Sequence, residues 1–477
     1  MGAPPSQGLP PDLQPTEVNV TNDLMHRWGE PNVAVNPRNP NNLVYNVMLD
    51  SFTYACQKAA TPDCTMIKVI PPNRTEPMDT PRGLFQVTGW LSNRVYVSFD
   101  RGRTWKLVEI PRKIDGNRNL SDATGGDPVV RASSDGTFWI SWEPIHIGSF
   151  PLDAPGNYGC PVVSKSTDGG RTWSNPVCTG TPVDHEWIEI DQSTGTLYEA
   201  SSGHLGPTSE GEANLPVGAI GDRWLVTSKD GVHWSSPPQR FGGSDGAAQF
   251  PGGGRMVASN GVLATAFSAR SAPACRFFLG SGDAPCTVFQ TTSDAGAHWT
   301  RHRVPAPADP TGGFQMMLTG NPKKPGHYTL ALMDAKAGQF MVYRTADSGA
   351  TWSGPTRVTE DASKTHFKAA MAASPSGVIG MMWRTRQSGT PMIGPYNVWA
   401  TISDDEGATF SQPLKISSAD SPGEDPALPF GFDDLSDINL NDQYAFIAWA
   451  DWRPGDRSGY FSAVKLRAFR HHGKGMQ

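Results

Sequence analysis

The stretch Ser98-Phe99-Asp100-Arg101-Gly102-Arg103-Thr104-Trp105 decides the fold, because the chain writes it again and again. It returns as Ser166-Thr167-Asp168-Gly169-Gly170-Arg171-Thr172-Trp173 and, one residue shorter, as Ser228-Lys229-Asp230-Gly231-Val232-His233-Trp234. Three further copies centre on Asp294, Asp347 and Asp405 and end in Trp299, Trp352 and Phe410. Each copy has the chemistry of a tight hairpin. The Asp carboxylate can accept bonds from turn N–H groups, and Gly supplies a positive φ. The closing aromatic ring is a large apolar plug for a gap between sheets. The six Asp positions are separated by 68, 62, 64, 53 and 58 residues, a mean of 61.

A period of this length matches one four-stranded propeller blade per repeat. Two apolar, β-rich runs precede each motif and a third follows. In the first repeat these include residues 32–36 (NVAVN), 42–48 (NLVYNVM), 94–98 (RVYVS) and 106–110 (KLVEI). A seventh unit follows the last motif, with runs near 436–440, 444–450 and 460–466, but it lacks a fourth strand. Residues 16–21 (TEVNVT) are β-patterned and otherwise unassigned, so they are predicted to supply that strand and close the ring. Residues 16–470 hold about 7.5 such periods, with an insertion at 49–90 accounting for the excess. The expectation is an all-β, seven-bladed β-propeller, with six blades as the alternative. Residues 1–15 are expected to be an extended, disordered lead-in and 471–477 a tail.

Composition agrees. With 51 Gly and 42 Pro in 477 residues the chain is too punctuated for long helices, and its 15 Trp and 20 Phe are too many for a disordered one. No run of about 18 apolar residues exists to span a bilayer. A net charge of −6 argues against nucleic acid as a partner. The six cysteines fall into local pairs, Cys56 with Cys64, Cys160 with Cys178 and Cys275 with Cys286, which suggests disulfides in a secreted protein.

The six motif copies resemble the Asp-box of the bacterial neuraminidase repeat, and the chain resembles the sialidase-like superfamily over nearly its whole length. The resemblance implies a β-propeller with the motifs on its outer rim, and a glycan-active site elsewhere. In sialidases three arginines clamp the substrate carboxylate, with a Tyr–Glu nucleophile pair and an Asp acid/base. The first arginine lies in an Arg-Ile-Pro motif. Here the corresponding stretch, His26-Arg27-Trp28-Gly29-Glu30-Pro31, offers Arg27 without Ile-Pro. Tyr460 lies in a segment superficially like the nucleophile region, but it fits a strand following Asp451-Trp452-Arg453, so the sialidase site is not carried over.

Propeller sites gather at the axial mouth, where the innermost strands begin and converge. Aligning those starts gives Glu30, Asp127, His185, Gln249, Gln315, His366 with Lys368, and Asp433 with Asp434 and Asp437. The candidate catalytic residues are Glu30, Asp127, His185, Asp433 and Asp434. The candidate substrate-binding residues are Arg27, Arg131, Glu189, Gln249, Gln315, His366 and Lys368. Arg131 and Glu189 occupy the position of Ala34, deeper in the channel, where they could also pair across blades. Glu143, His146, Arg384 and Arg386 lie on connections whose face the sequence leaves open. Paired carboxylates suit a glycoside hydrolase. A polysaccharide lyase using His, Lys and Gln on uronates and a non-catalytic glycan- or protein-binding propeller are the alternatives. No cofactor is expected, although Asp433, Asp434 and Asp437 could hold Ca²⁺. The expected state is a monomer.

Overall fold

Strand alternation in the first blade shows how the ring is held together. In Asn39–Phe52, Leu43, Tyr45 and Val47 join one apolar cluster while Val44 joins the next; in Ser92–Ser98, Tyr96 and Val95 divide in the same way. Both faces are apolar because each sheet is sandwiched between two others, and successive side chains point to opposite faces. The computed structural model describes residues 9–22, 26–52, 67–68, 79–80, 83–84, 86–87, 92–111, 125–144, 161–181, 186–202, 223–240, 256–269, 286–306, 316–334, 338–359, 363–387, 394–423, 433, 435–455 and 457–472.

Seven four-stranded antiparallel sheets form the ring. The innermost strands of blades 1 to 7 are His26–Asn36, Gly125–Ala132, Trp187–Asp191, Met256–Ser259, Met316–Gly320, Lys364–Ala373 and Asp437–Leu440. Blade 7 continues through Tyr444–Asp451 and Ser458–Lys465, and its outer strand is Thr16–Asn19, which pairs Thr16 with Ala463 and Asn19 with Tyr460. The chain thus closes with its N-terminal strand, as its sequence predicts. Glu17 reinforces the closure by accepting from Arg453 at 2.9 Å and from the Ser418 N–H at 2.8 Å.

Residues 9–15, the described part of the expected lead-in, are packed onto the ring rather than free. Leu9 and Leu13 are buried, and they pack with Ile416, Leu466 and Phe469. The last three of these residues include two from a helix, Leu466–His472, that follows the final strand. The burial of apolar side chains on both segments is what fixes them. Among the described residues no helix is long and apolar enough to cross a membrane.

The repeated motif forms the hairpin its residues imply. In the first copy Asp100 accepts from the Thr104 N–H at 2.9 Å and from the Thr104 hydroxyl at 2.6 Å, and the Trp105 indole donates to the Gly102 carbonyl at 3.0 Å. Gly102 has φ +78°, and a Cβ there would strike the Phe461 ring of blade 7. In other copies the Gly likewise packs against the preceding blade: Gly231 abuts Trp139, and Gly349 abuts Phe289. In Asp347 the Thr351 hydroxyl and N–H bring the carboxyl down to about 2.

Candidate functional site

Connections divide unequally between the two ends of the ring. At one end lie the short turns after the innermost strands, such as 37–38 and 260–261, together with the motif hairpins, such as 99–105. At the other end, where the innermost strands begin, are the strand ends joined by the longest intervals of sequence, 53–91, 145–161, 203–222 and 416–436. Binding and catalytic groups concentrate on long loops carried by a rigid scaffold, so this end is the candidate face. The motif Asp residues face away from it.

Three innermost strands begin with the same irregularity. The strand ladder shifts register between Gly29 and Asn32 in blade 1, between Gly126 and Val129 in blade 2, and between Phe367 and Ala370 in blade 6. Each bulge holds a charged residue in left-handed backbone: Glu30 (φ +53°), Asp127 (φ +45°) and Lys368 (φ +48°). Left-handed backbone is uncommon outside Gly and costs about 1–3 kcal/mol per residue, and bulges re-aim side chains next to functional sites. No Gly marks these positions, so the sequence aligns the residues without revealing their conformation.

The three residues differ in access. Glu30 is 1% exposed, and its Oε2 accepts the Asp127 backbone N–H at 3.2 Å. It therefore ties blade 1 to the bulge of blade 2. Asp127 itself is partly exposed. Lys368 is also partly exposed, and its Nζ lies 3.3 Å from Asp433 Oδ2.

Asp433 is anchored from a second side by Arg384, whose Nη1 and Nη2 donate to its two carboxylate oxygens at 2.6 and 3.1 Å. Arg384 also donates from Nε to Ser436 at 3.1 Å and lies over the Tyr396 ring at 5.2 Å. Burial works to raise the Asp433 pKa, but Arg384 and Lys368 outweigh it and hold the carboxyl below its ordinary value. Burial likewise opposes the Arg384 charge, yet Asp433, with Tyr396 and Asp451, raises its pKa overall. The sequence placed Arg384 on an unassigned connection; its alternation with Arg386 at the end of an apolar strand was the available signal.

Deeper in the channel, Arg131 Nε lies 3.5 Å from Glu189 Oε2, and its Nη1 donates to Asn32 Oδ1 at 3.1 Å. The guanidinium also covers the Trp187 ring at 4.7 Å. Burial raises the Glu189 pKa despite Arg131. Arg131, Asn32 and Glu189 thus clamp blades 1, 2 and 3 together. A cavity of about 840 Å³ opens from this pair toward the short-turn end, lined by Asp191, Asn260, Lys323 and Asn441 among others.

His366 is buried, with its Nδ1 3.0 Å from the Thr385 hydroxyl. It faces a separate cavity beside Arg386 and Trp383, so it is not gathered with Asp127. Tyr460 lies in the third strand of blade 7, next to the outermost strand and under Arg453 at 4.7 Å. That position is remote from the innermost strands. Asp437 accepts the Val33 N–H at 3.1 Å and so pins blade 7 to blade 1. Among the described residues no group of three His, Cys, Asp or Glu is gathered to hold a metal. His146, His185, Gln249, Gln315 and Asp434 lie outside the described residues, as do Cys56, Cys64, Cys160 and Cys275. The same holds for the side chains of Arg27 and Glu143.

No protein-family model matches the sequence, and no curated protein matches it. Among solved structures the chain is similar to the Hadza microbial sialidase Hz136, with 19% identity, 80% of this chain and 74% of that chain covered, and a TM-score of 0.45. It is similar to an alpha-L-arabinofuranosidase of Fusarium graminearum, with 11% identity, 95% and 98% coverage and a TM-score of 0.44. It is also similar to the Trypanosoma rangeli sialidase, with 12% identity, 86% and 61% coverage and a TM-score of 0.43. Likeness at this level carries no argument about activity, and the assignment of a seven-bladed all-β propeller stands on the strand pairing of the chain itself.

Proposed function

We propose that the protein is a secreted glycoside hydrolase whose working centre is the axial mouth at the long-loop end. The observation that carries this reading is the set of charged residues, Glu30, Asp127 and Lys368, in left-handed backbone at matching bulges. Three such strained positions converging on one rim are the mark of a site whose side chains must be aimed.

In this reading Asp127, the accessible carboxyl, gives its proton to the glycosidic oxygen as the bond to the anomeric carbon breaks. Glu30 positions it by holding its backbone N–H. The second carboxylate, which activates water or attacks the anomeric carbon, is assigned to Asp434, the sequence neighbour of the anchored Asp433. Lys368, held by Asp433, contacts substrate oxygens. The three sequence-local cysteine pairs suit disulfides and hence an oxidising compartment.

A glycan library incubated with the full chain and read by mass spectrometry tests the proposal. It requires products that have gained water. Products that absorb as unsaturated uronates would make the protein a lyase, and binding without product would make it a lectin-like propeller; either result overturns the hydrolase reading.

A further inference from the structure

Between blades 1 and 2 polar side chains join the apolar packing just beneath the mouth. Away from the mouth, Ala34, Val44, Val97 and Ile140 pack between the blades, and Val95 lies level with Asn46. Toward the mouth, strand alternation carries Asn46 onto the face of Val44 and Asn93 onto the face of Val95. Asn46 pairs in register with Asn32, and Asn93 with Met48. From the opposite blade comes Trp142, two residues beyond Ile140. These side chains are sealed from solvent: Asn46 and Trp142 are 0% exposed and Asn93 is 2% exposed.

Among the described residues, no hydrogen-bond partner reaches the amide nitrogen or oxygen of Asn46, those of Asn93, or the indole Nε1 of Trp142. A buried polar group left unmet costs about 1–3 kcal/mol, and native interiors answer such groups with ordered water. The polarity of the set selects the ligand. A cation would leave the indole and amide N–H groups unanswered, and an anion would leave the amide oxygens unanswered. Water both donates and accepts.

We propose that this interface holds a buried hydration site, with water bonded to Asn46, Asn93 and Trp142. At about three bonds per buried water, about two molecules meet the five atoms. The site lies at the back of the Glu30 bulge, since Glu30 falls between Gly29, opposite Met48, and Asn32, opposite Asn46. The waters therefore brace the strand segment that presents Glu30 to Asp127.

A high-resolution crystal structure of the full chain tests this directly. Water density within hydrogen-bond reach of all three side chains is expected. A dry gap, in which the amides rotate to meet each other, or density of an ion, would overturn the proposal. Thermal unfolding of Asn46→Leu and Asn93→Leu gives a second reading. With waters present, each near-isosteric change strips a bonding partner and lowers Tm by about 2 °C. An unchanged or raised Tm in both variants would show that the gap is dry.

Discussion

Glu199 offers a sharp test of how the polar interior is built. It lies on the second strand of blade 3, fully enclosed, and its Oε1 accepts the Ser141 hydroxyl of blade 2 at 2.8 Å. Burial, only partly countered by Ser141 and the charge of Arg223, pushes its carboxyl from 4.5 up to about 8. The neutral acid is thus the form the fold accepts. Between about 4.5 and about 8 the unfolded chain has released this proton while the folded chain keeps it, so stability falls as pH rises. The contribution is fully present below the unfolded pKa and is lost by the folded pKa. At about 1.4 kcal/mol per unit the loss across that window is roughly 5 kcal/mol. Glu199→Gln keeps an acceptor for Ser141 and cannot ionise. Denaturant unfolding of both proteins at pH 5, 7 and 9 isolates the difference, because all other titrating groups are shared. The two should match at pH 5, and the variant should be the more stable by several kcal/mol at pH 9. Parallel stability curves across the three pH values would mean that Glu199 is not held neutral by the fold.

Deleting residues 1–22 uncovers the edge of Ser458–Lys465, which the N-terminal strand otherwise covers. An exposed edge invites pairing with another chain, so the truncated protein should self-associate in light scattering and unfold at lower temperature. Gly102→Ala and Gly195→Ala both place a Cβ at positive φ, but only the first meets a neighbour, the Phe461 ring. Both should lose about 1–2 kcal/mol in denaturant unfolding for the backbone alone, and Gly102→Ala should lose measurably more. Asp433→Asn leaves Arg384 buried without its carboxylate and should cost about 3–5 kcal/mol by the same method.

The architecture was legible because each blade carries its own signature. Asp100 and its five counterparts fix the hairpins, their spacing counts the blades, and residues 16–21 were the unclaimed strand that the seventh blade needed. The mouth was legible only as an alignment. Reading Glu30 and Asp127 at equivalent strand starts located the rim, but it gave both the same standing. Their unequal burial depends on how blade 1 leans on blade 2, which no local pattern records. The partnership of Arg384 with Asp433 joins residues from adjacent blades, far apart in sequence, and a single chain carries no sign of it. Leu9 and Leu13 were hidden for a simpler reason. Two apolar residues among prolines have no periodicity, and their burial rests on a terminal helix whose short pattern also lacked one.

In the proposed hydrolase the charged residues at the innermost bulges, and not the acidic motif repeated around the opposite face, carry the chemistry. Turnover of Asp127→Asn, set beside that of Asp100→Asn on a glycoside that the wild type cleaves, separates the two sets of carboxylates. A loss of about 10²–10⁴-fold in kcat is expected for Asp127→Asn, and wild-type turnover for Asp100→Asn. Wild-type turnover in Asp127→Asn would contradict it.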